Sequence, residues 1–348
     1  MSGLDRAQAD NLSGLRILVT GGAGFIGSHL VDTLLAQGAA EVRALDNLTN
    51  GNHENLVGQN ANERFTLVVG DVRDDVVREK ALHGIDIVYH LACLGVRHSL
   101  HDPIENHDVN ARGTLLMLCS ARAEGIRRFI YVSTSEVFGT AQYVPMDERH
   151  PTWPETVYGA SKLAGEASSR AFFRTYGMDT VVVRPFNTYG PRSHFAGDSG
   201  EVLPRTIVRL LAGHRPVIFG DGQQTRDFMH VFDTVTALAL LAQGSGLAGE
   251  TLNLGSGAEV TMNALCAAVA LAVERPDLLP VHDSARPGDV RRLLGDPTLM
   301  MSLTGFAPTV PFERGVAELV AWFRASAADN PDQVELMEDR NWVALEAV

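Results

Sequence analysis

From residue 15 onward, short β-branched runs alternate with longer segments of helical period. The runs at 16–20, 42–46, 65–69, 86–90, 129–133 and 180–184 are continuously apolar rather than alternating. That is the pattern of strands buried on both faces of a parallel sheet. Between them the pattern predicts helices at 25–37, 109–123 and 157–176. Strand–helix–strand repetition with right-handed crossovers makes the fold class α/β, with a doubly wound parallel sheet. After about residue 185 Gly and Pro punctuate shorter elements, around 186–191, a polar stretch 193–201 and Gly220-Asp221-Gly222. Helices are expected there at 202–211 and 233–241. The expected organisation is a first domain over 1–185 and a smaller C-terminal lobe over 186–326, with segments returning to the sheet. An acidic tail over 327–348 carries Trp342 and Leu345 as apolar points of attachment.

Charge narrows the partners. The 348 residues hold 29 Lys and Arg against 42 Asp and Glu, a net charge of −13. Such a chain has no general attraction for nucleic-acid backbones or anionic membranes, so an anionic ligand needs local Arg and backbone amides. Cys93, Cys119 and Cys266 are odd in number and widely spaced, which points to reduced thiols rather than a disulfide scaffold. Cys93 reads as a small buried hydrophobe. His98, His101 and His107 lack a carboxylate or thiol partner at ligand spacing, so no metal is expected. Residues 1–14 are polar, and the longest apolar stretch, 235–242, is too short to span a bilayer. The expectation is a cytoplasmic protein.

The first strand runs into Thr20-Gly21-Gly22-Ala23-Gly24-Phe25-Ile26-Gly27, which opens the first helix. Glycines at this spacing permit a tight turn, close approach of backbone to a pyrophosphate and close packing of helix on strand. The helix N-terminus offers free amides and the positive end of its dipole. Asp46 ends the next strand, where a carboxylate bonds ribose hydroxyls and repels a 2′-phosphate. Asn47-Leu48-Thr49 supply no Arg to offset that repulsion, so the site favours NAD over NADP.

Tyr158 and Lys162 stand at i and i+4, on one face of the helix expected at 157–176. A phenol titrating near pH ~10 is a poor base at neutrality, and an adjacent ammonium favours its ionised form. Tyr158 could then take a proton from an alcohol as hydride leaves the same carbon. Such a pair is common by chance; its weight comes from following the fifth strand. Thr134-Ser135-Glu136 ends that strand, where ligands of open α/β sheets bind. Thr134 can bond the reacting hydroxyl. Glu136 is either a base for a C–H made acidic by a neighbouring ketone, or a loop acid at a helix start.

These motifs resemble the extended short-chain dehydrogenase/reductases, specifically the NAD-dependent nucleotide-sugar epimerase/dehydratase family. The likeness runs from about Arg16 to about Phe323, through Gly70-Asp71-Val72, His90-Leu91-Ala92, Arg184 to Pro191, Gln224 to Phe228 and Arg286-Pro287-Gly288-Asp289. The resemblance implies a Rossmann sheet with a substrate-binding lobe. It places Gly21, Gly24, Phe25, Ile26, Gly27, Asp46, Asn47, Leu91, Ala92, Tyr158 and Lys162 on NAD, with Asp71 and Val72 flanking the adenine. Asn187, Arg226 and Arg286 would hold a nucleoside-diphosphate sugar, with Asp289 near the nucleoside. It further implies a homodimer through a four-helix interface built on 109–123 and 157–176.

Members of the family share oxidation at sugar C4 and then diverge. Thr134 and Glu136 resemble the dehydratase and decarboxylase arrangement, although Ser135 stands where many dehydratases carry an acidic Asp. Gly95 to Leu100 resembles glucuronate 4-epimerases, whose Arg, here Arg97, could pair with a sugar carboxylate; alternatively it meets a phosphate or lies outside the pocket. The leading expectation is an NDP-hexose 4,6-dehydratase, followed by a 4-epimerase and then a UDP-glucuronate decarboxylase. A catalytically silent NAD-binding scaffold is the non-enzymatic alternative, and the presence of Thr134, Tyr158 and Lys162 opposes it. Residues 193–200 read as either a flap over the substrate or an ordinary connection.

Overall fold

The computed structural model describes residues 12–286, 289–329 and 337. Pro287, Gly288, Trp342, Leu345 and almost all of the acidic tail lie outside the described residues. The strands are β1 (Arg16–Thr20), β2 (Glu41–Asp46), β3 (Phe65–Val69), β4 (Ile87–His90), β5 (Arg128–Val132), β6 (Thr180–Pro185), β7 (Asn187–Tyr189), β8 (Val217–Phe219), β9 (Thr225–His230), β10 (Thr251–Leu254), β11 (Glu259–Thr261) and β12 (Val281–Asp283). The helices used below are α1 (Phe25–Ala36), α2 (Asp75–Leu82), α3 (His98–His101), α4 (Pro103–His107), α5 (Gly113–Ala123), α6 (Val157–Tyr176), α7 (Val202–Leu211), α8 (Val231–Leu240), α9 (Met262–Ala272), α10 (Thr298–Thr304) and α11 (Phe312–Asp329).

The expected doubly wound sheet is present, with seven parallel strands in the order β10-β6-β5-β4-β1-β2-β3. Alternation along each strand serves two cores at once, because successive side chains point to opposite faces. Ile17 and Val19 pack with Leu30, Leu34 and Leu238 on one face, whereas Leu18 packs with Leu82, Met117 and Leu118 on the other. The chain winds outward from β1 in one direction and from β4 in the other. This switch point opens a crevice beyond the strands' C-terminal ends.

Two features depart from the sequence pattern. The strand β10, four residues long, returns from the C-terminal half to pair with β6. The helix expected over 109–123 begins earlier, at Pro103, and passes through a π-helical turn at Asp108–Arg112 before α5. Asp102 starts it by accepting the Glu105 amide at 2.9 Å, and Pro103 supplies the first-turn residue whose missing N–H costs nothing.

The remaining elements form a smaller sheet β11-β9-β7 and the pair β12-β8. Their core gathers Leu203 and Ile207 of α7, Leu265 and Val269 of α9, and Leu319 and Phe323 of α11. No helix among the described residues is long and apolar enough to cross a membrane.

Candidate active site

A cleft of about 400 Å³ lies over the C-terminal ends of β1, β2, β4, β5 and β6. It opens into a second compartment of about 230 Å³ beneath α7 and α9. Every residue expected at the cofactor lines the first compartment, from Gly21, Gly24, Phe25, Ile26 and Gly27 through Asp46, Asn47, Asp71, Val72, Leu91 and Ala92 to Tyr158 and Lys162.

The glycine turn is built by sterics. Gly21 has φ +69°, and a Cβ there would lie 2.9 Å from the Ala92 backbone nitrogen. A Cβ on Gly27 would strike the Gly21 carbonyl, so helix and turn could not approach. Helix α1 has Gly24 as its N-cap, no side-chain cap bond and no acid in its first turn. Its first amides and dipole are therefore left for an anion. Asp46 fixes the loop, with Oδ2 accepting from Ala23 N and Oδ1 from Leu48 N, at 2.9 and 2.8 Å. Burial raises its pKa, and the amides of Leu48, Ala23 and Gly24 partly offset that. A carboxylate has about four acceptor positions, so capacity remains for ribose hydroxyls. At the far end the Asp71 carboxylate is held low by its hydrogen bond to Arg73, 2.7 Å away. These residues fit an NAD-type dinucleotide with an unphosphorylated adenosine ribose.

The floor of the cleft is polar and closed. Thr20 Oγ1 meets His90 Nδ1 at 2.7 Å, and His90 Nε2 meets Thr114 Oγ1 at 3.1 Å. Burial, with Lys162 adding to it, lowers the His90 pKa to about 3, so the ring is neutral. Asn106 and Asn110, both buried, donate to the Leu94 carbonyl, and Asn110 Oδ1 accepts the Leu94 amide at 2.9 Å. The segment carrying Cys93 and Arg97 is thus pinned to the helix beside it. Two Asn at i and i+4 are the sequence signal that was available for this contact.

Tyr158 and Lys162 do share a helix face, but the structure gives the ammonium other work. Lys162 Nζ donates to the Val132 carbonyl at 2.7 Å and lies 4.5 Å above the Tyr131 ring. Burial lowers its pKa against the pull of Cys93 and Glu166. The Tyr158 phenol is pushed well above its ordinary value, chiefly by burial and then by Cys93, while a hydrogen bond from Thr134 acts in the opposite direction. Thr134 Oγ1 accepts the Glu136 amide at 3.2 Å and keeps its own proton to give to Tyr158. Cys93, expected as a buried hydrophobe, is instead part-exposed on the cleft and hydrogen-bonded to the Tyr158 phenol.

Behind this group Glu166 is completely buried. It accepts from Ser133 Oγ at 2.7 Å and from Arg184 Nε and Nη2 at 2.9 and 2.7 Å. Burial alone would raise its pKa, but Arg184 outweighs that and the carboxylate stays ionised. The network fixes Ser133, and so the direction in which Thr134-Ser135-Glu136 leaves β5.

Glu136 and Asn187 line both compartments, as does Arg97; Ser135 lines the first, and Arg226, Arg286 and Asp289 the second. Burial raises the Glu136 pKa, with Arg226 and Arg286 working against it. Arg226 donates to the Thr225 and Val290 carbonyls at 2.8 and 2.6 Å, and to Asp289 Oδ1 at 2.8 Å. Arg286 reaches the same Oδ1 at 2.7 Å. Asp289 therefore ties the two guanidinium groups together. Asn187 Oδ1 is buried with no hydrogen-bond partner among the described residues.

Sequence reasoning missed Glu201. It is the N-cap of α7, makes no capping side-chain bond, and lines both compartments with Glu136 and Arg97. Burial pushes its pKa up to about 8 despite Arg97. An acid before an amphipathic helix reads as an ordinary cap, so no local signal marks it. In the 193–200 segment His194 Nε2 meets the Asn50 carbonyl at 3.2 Å, and Arg192 just before it pairs with Asp32 at 2.8 Å. Among the described residues no group of three or more His, Cys, Asp or Glu is arranged to hold a metal.

A dinucleotide cleft with Thr134, Tyr158 and Lys162 on its wall, opening into an arginine-lined second compartment, is the geometry of an NAD-linked enzyme with a separate site for an anionic substrate. The chain belongs to the extended short-chain dehydrogenase/reductase family of NAD-dependent nucleotide-sugar epimerases and dehydratases; the family described as GDP-mannose 4,6 dehydratase matches residues 18–319. It is 38% identical to a UDP-glucose 4-epimerase of Mycolicibacterium smegmatis over 89% of this chain and 99% of that one. It is 37% identical to a dTDP-glucose 4,6-dehydratase of Actinoplanes sp. over 90% and 98%. The crystal structure of DesIV, a dTDP-glucose 4,6-dehydratase from Streptomyces venezuelae with NAD bound, superposes with a TM-score of 0.86 at 34% identity, covering 91% of this chain and 99% of that one.

Proposed function

We propose that this protein is an NAD-dependent nucleoside-diphosphohexose 4,6-dehydratase. The observation that carries the reading is the pair of carboxyls, Glu136 and Glu201, lining the junction of the two compartments. A 4-epimerase returns hydride to the opposite face of the sugar and needs neither a second base nor an acid. A dehydratase needs both, one to remove the C5 proton and one to assist departure of the C6 hydroxyl.

Bound NAD+ supplies the hydride acceptor for C4 and the hydride for C6. Tyr158 takes the C4 hydroxyl proton, helped by the Thr134 hydroxyl that bonds its phenol. Glu136, as carboxylate, removes the C5 proton made acidic by the C4 ketone. Glu201, protonated up to about pH 8, gives a proton to the leaving C6 oxygen, the task for which Ser135 has no acid. Water leaves; as hydride reaches C6, Glu136, its proton exchanged with solvent, returns one to C5, and the proton taken by Tyr158 passes through solvent to restore Glu201, so both carboxyls and the phenol are reset. Arg226 and Arg286, tied through Asp289, hold the diphosphate with Asn187. Helices α5 and α6, which expose Leu115, Val157 and Tyr176, form the interface of a homodimer in this reading.

Arg97 favours a second reading, a uronate 4-epimerase or decarboxylase, because it lines the same junction and could pair with a C6 carboxylate. Mass spectrometry and proton NMR in D2O separate these, with UDP-glucose, UDP-glucuronate, dTDP-glucose and GDP-mannose as substrates. Loss of one water with solvent deuterium at C5 is the expected result. An isomer of unchanged mass without solvent deuterium would make this an epimerase, and loss of CO2 from UDP-glucuronate a decarboxylase.

A further inference from the structure

The second compartment holds a buried side chain whose bonding is incomplete. Gln224 is only 7% exposed and lines that compartment. Its Nε2 donates to the Phe219 carbonyl at 2.7 Å, and its own carbonyl accepts the Met262 amide at 3.1 Å. A backbone carbonyl can only accept, so this bond fixes which end of the amide is nitrogen. Oε1 is therefore the other end, and it is buried without a hydrogen-bond partner among the described residues. A buried, oriented acceptor left unpaired costs stability, and such a group in a ligand cavity marks where a donor belongs.

The surroundings say which donor. Ile218, Phe219 and Met262 give the compartment apolar walls, suited to the faces of a flat ring. Arg226 and Arg286 line the same compartment, and Arg226 lies two residues along the chain from Gln224. With the diphosphate on those arginines, as in the function proposed above on which this inference rests, the nucleoside end faces Gln224.

We propose that Gln224 reads the nucleobase, its Oε1 accepting a ring lactam N–H. Uracil and thymine offer that group at N3 and guanine at N1. Cytosine and adenine present a ring acceptor at the corresponding position, which would face Oε1 acceptor to acceptor. Gln224 is thus a specificity residue for the base, separate from the groups that act on the sugar.

The test is calorimetric binding of UDP, dTDP, GDP, CDP and ADP, without any sugar, to the full-length wild type, Gln224→Met and Gln224→Glu. A site built around one hydrogen bond rejects an analogue lacking it, so the wild type should prefer a lactam-bearing nucleotide to CDP and ADP by roughly tenfold or more. Gln224→Met should compress that preference to within about threefold, whereas Gln224→Glu, which keeps an acceptor, should retain it. Preferences are ratios within one variant, so partial loss of folded protein cancels. UDP and dTDP above GDP identify a pyrimidine reader, and GDP above both a guanine reader. Equal binding of CDP and UDP to the wild type would overturn the proposal, as would a uniform loss across all five nucleotides in Gln224→Met, which would place Gln224 on the ribose. If none of the five binds, it is the nucleotide-sugar reading that fails.

Discussion

Replacing Glu201 by Gln tests both the electrostatics of the junction and the assigned proton donor. A free Glu titrates at 4.5, and burial moves Glu201 to about 8. Between those values the folded protein keeps a proton that the unfolded chain has released, so the wild type loses stability as pH rises. The loss begins near pH 4.5 and is complete above pH 8. At 1.36 kcal/mol per pKa unit the integrated cost is about 1 kcal/mol at pH 5, about 3 at pH 7 and about 5 at pH 9. Gln occupies the same space and has no proton to lose. The melting temperature of Glu201→Gln should therefore gain on that of the wild type as pH rises. At roughly 2 °C per kcal/mol for a chain of this length, the gap should widen by about 4 °C from pH 5 to pH 7 and by about 8 °C to pH 9. Thermal melts of the two proteins at the three pH values decide it. A gap that stays constant from pH 5 to pH 9 would show that the carboxyl is not held neutral, and the assignment of Glu201 as acid would go with it. In turnover, the wild type should decline above about pH 8 and Glu201→Gln should stall after C4 oxidation.

Tyr158→Phe should lower turnover by roughly 10²–10⁴-fold while leaving NAD affinity unchanged by calorimetry; near-normal activity would remove Tyr158 from the chemistry. Because Cys93 holds the Tyr158 phenol up, Cys93→Ala should move the ascending limb of the kcat/KM pH profile to lower pH, and an unmoved limb would refute the coupling. Glu136→Gln should abolish deuterium incorporation at C5 yet preserve C4 oxidation, seen as reduced-cofactor absorbance; equal loss of both would sink the division of labour. Glu166→Ala leaves the Arg184 charge buried and unpaired, which should cost about 3–5 kcal/mol in denaturant unfolding, whereas a loss under 1 kcal/mol would mean that water reaches the site.

Local pattern sufficed where one segment carries its own reason. The glycine spacing, the strand before it and Asp46 after it are read from residues 16–46 because turn sterics and strand burial are local properties. Tyr158 and Lys162 are legible as one helix face for the same reason. Partners drawn from distant segments are not. Whether Lys162 serves Tyr158 or the Val132 carbonyl depends on where β5 ends beneath α6. Neither Cys93 on the Tyr158 phenol nor Asp289 bridging two arginines has a sequence-local cause. Glu201 and Gln224 show the difference most sharply. One is an unexceptional N-cap and the other an unexceptional polar residue, until the tertiary structure desolvates the first carboxyl in the cleft that Glu136 also lines and leaves the second, an amide, with one bond made and one open. Sequence by itself determined the first six strands of the sheet, the cofactor turn and the helix carrying Tyr158 and Lys162, since each follows from periodicity and short-range sterics. Only the packing of the C-terminal lobe over the sheet desolvated the Glu201 carboxyl and left Gln224 Oε1 without a partner among the described residues, since desolvation and unpaired hydrogen-bonding capacity arise when separate segments exclude water together.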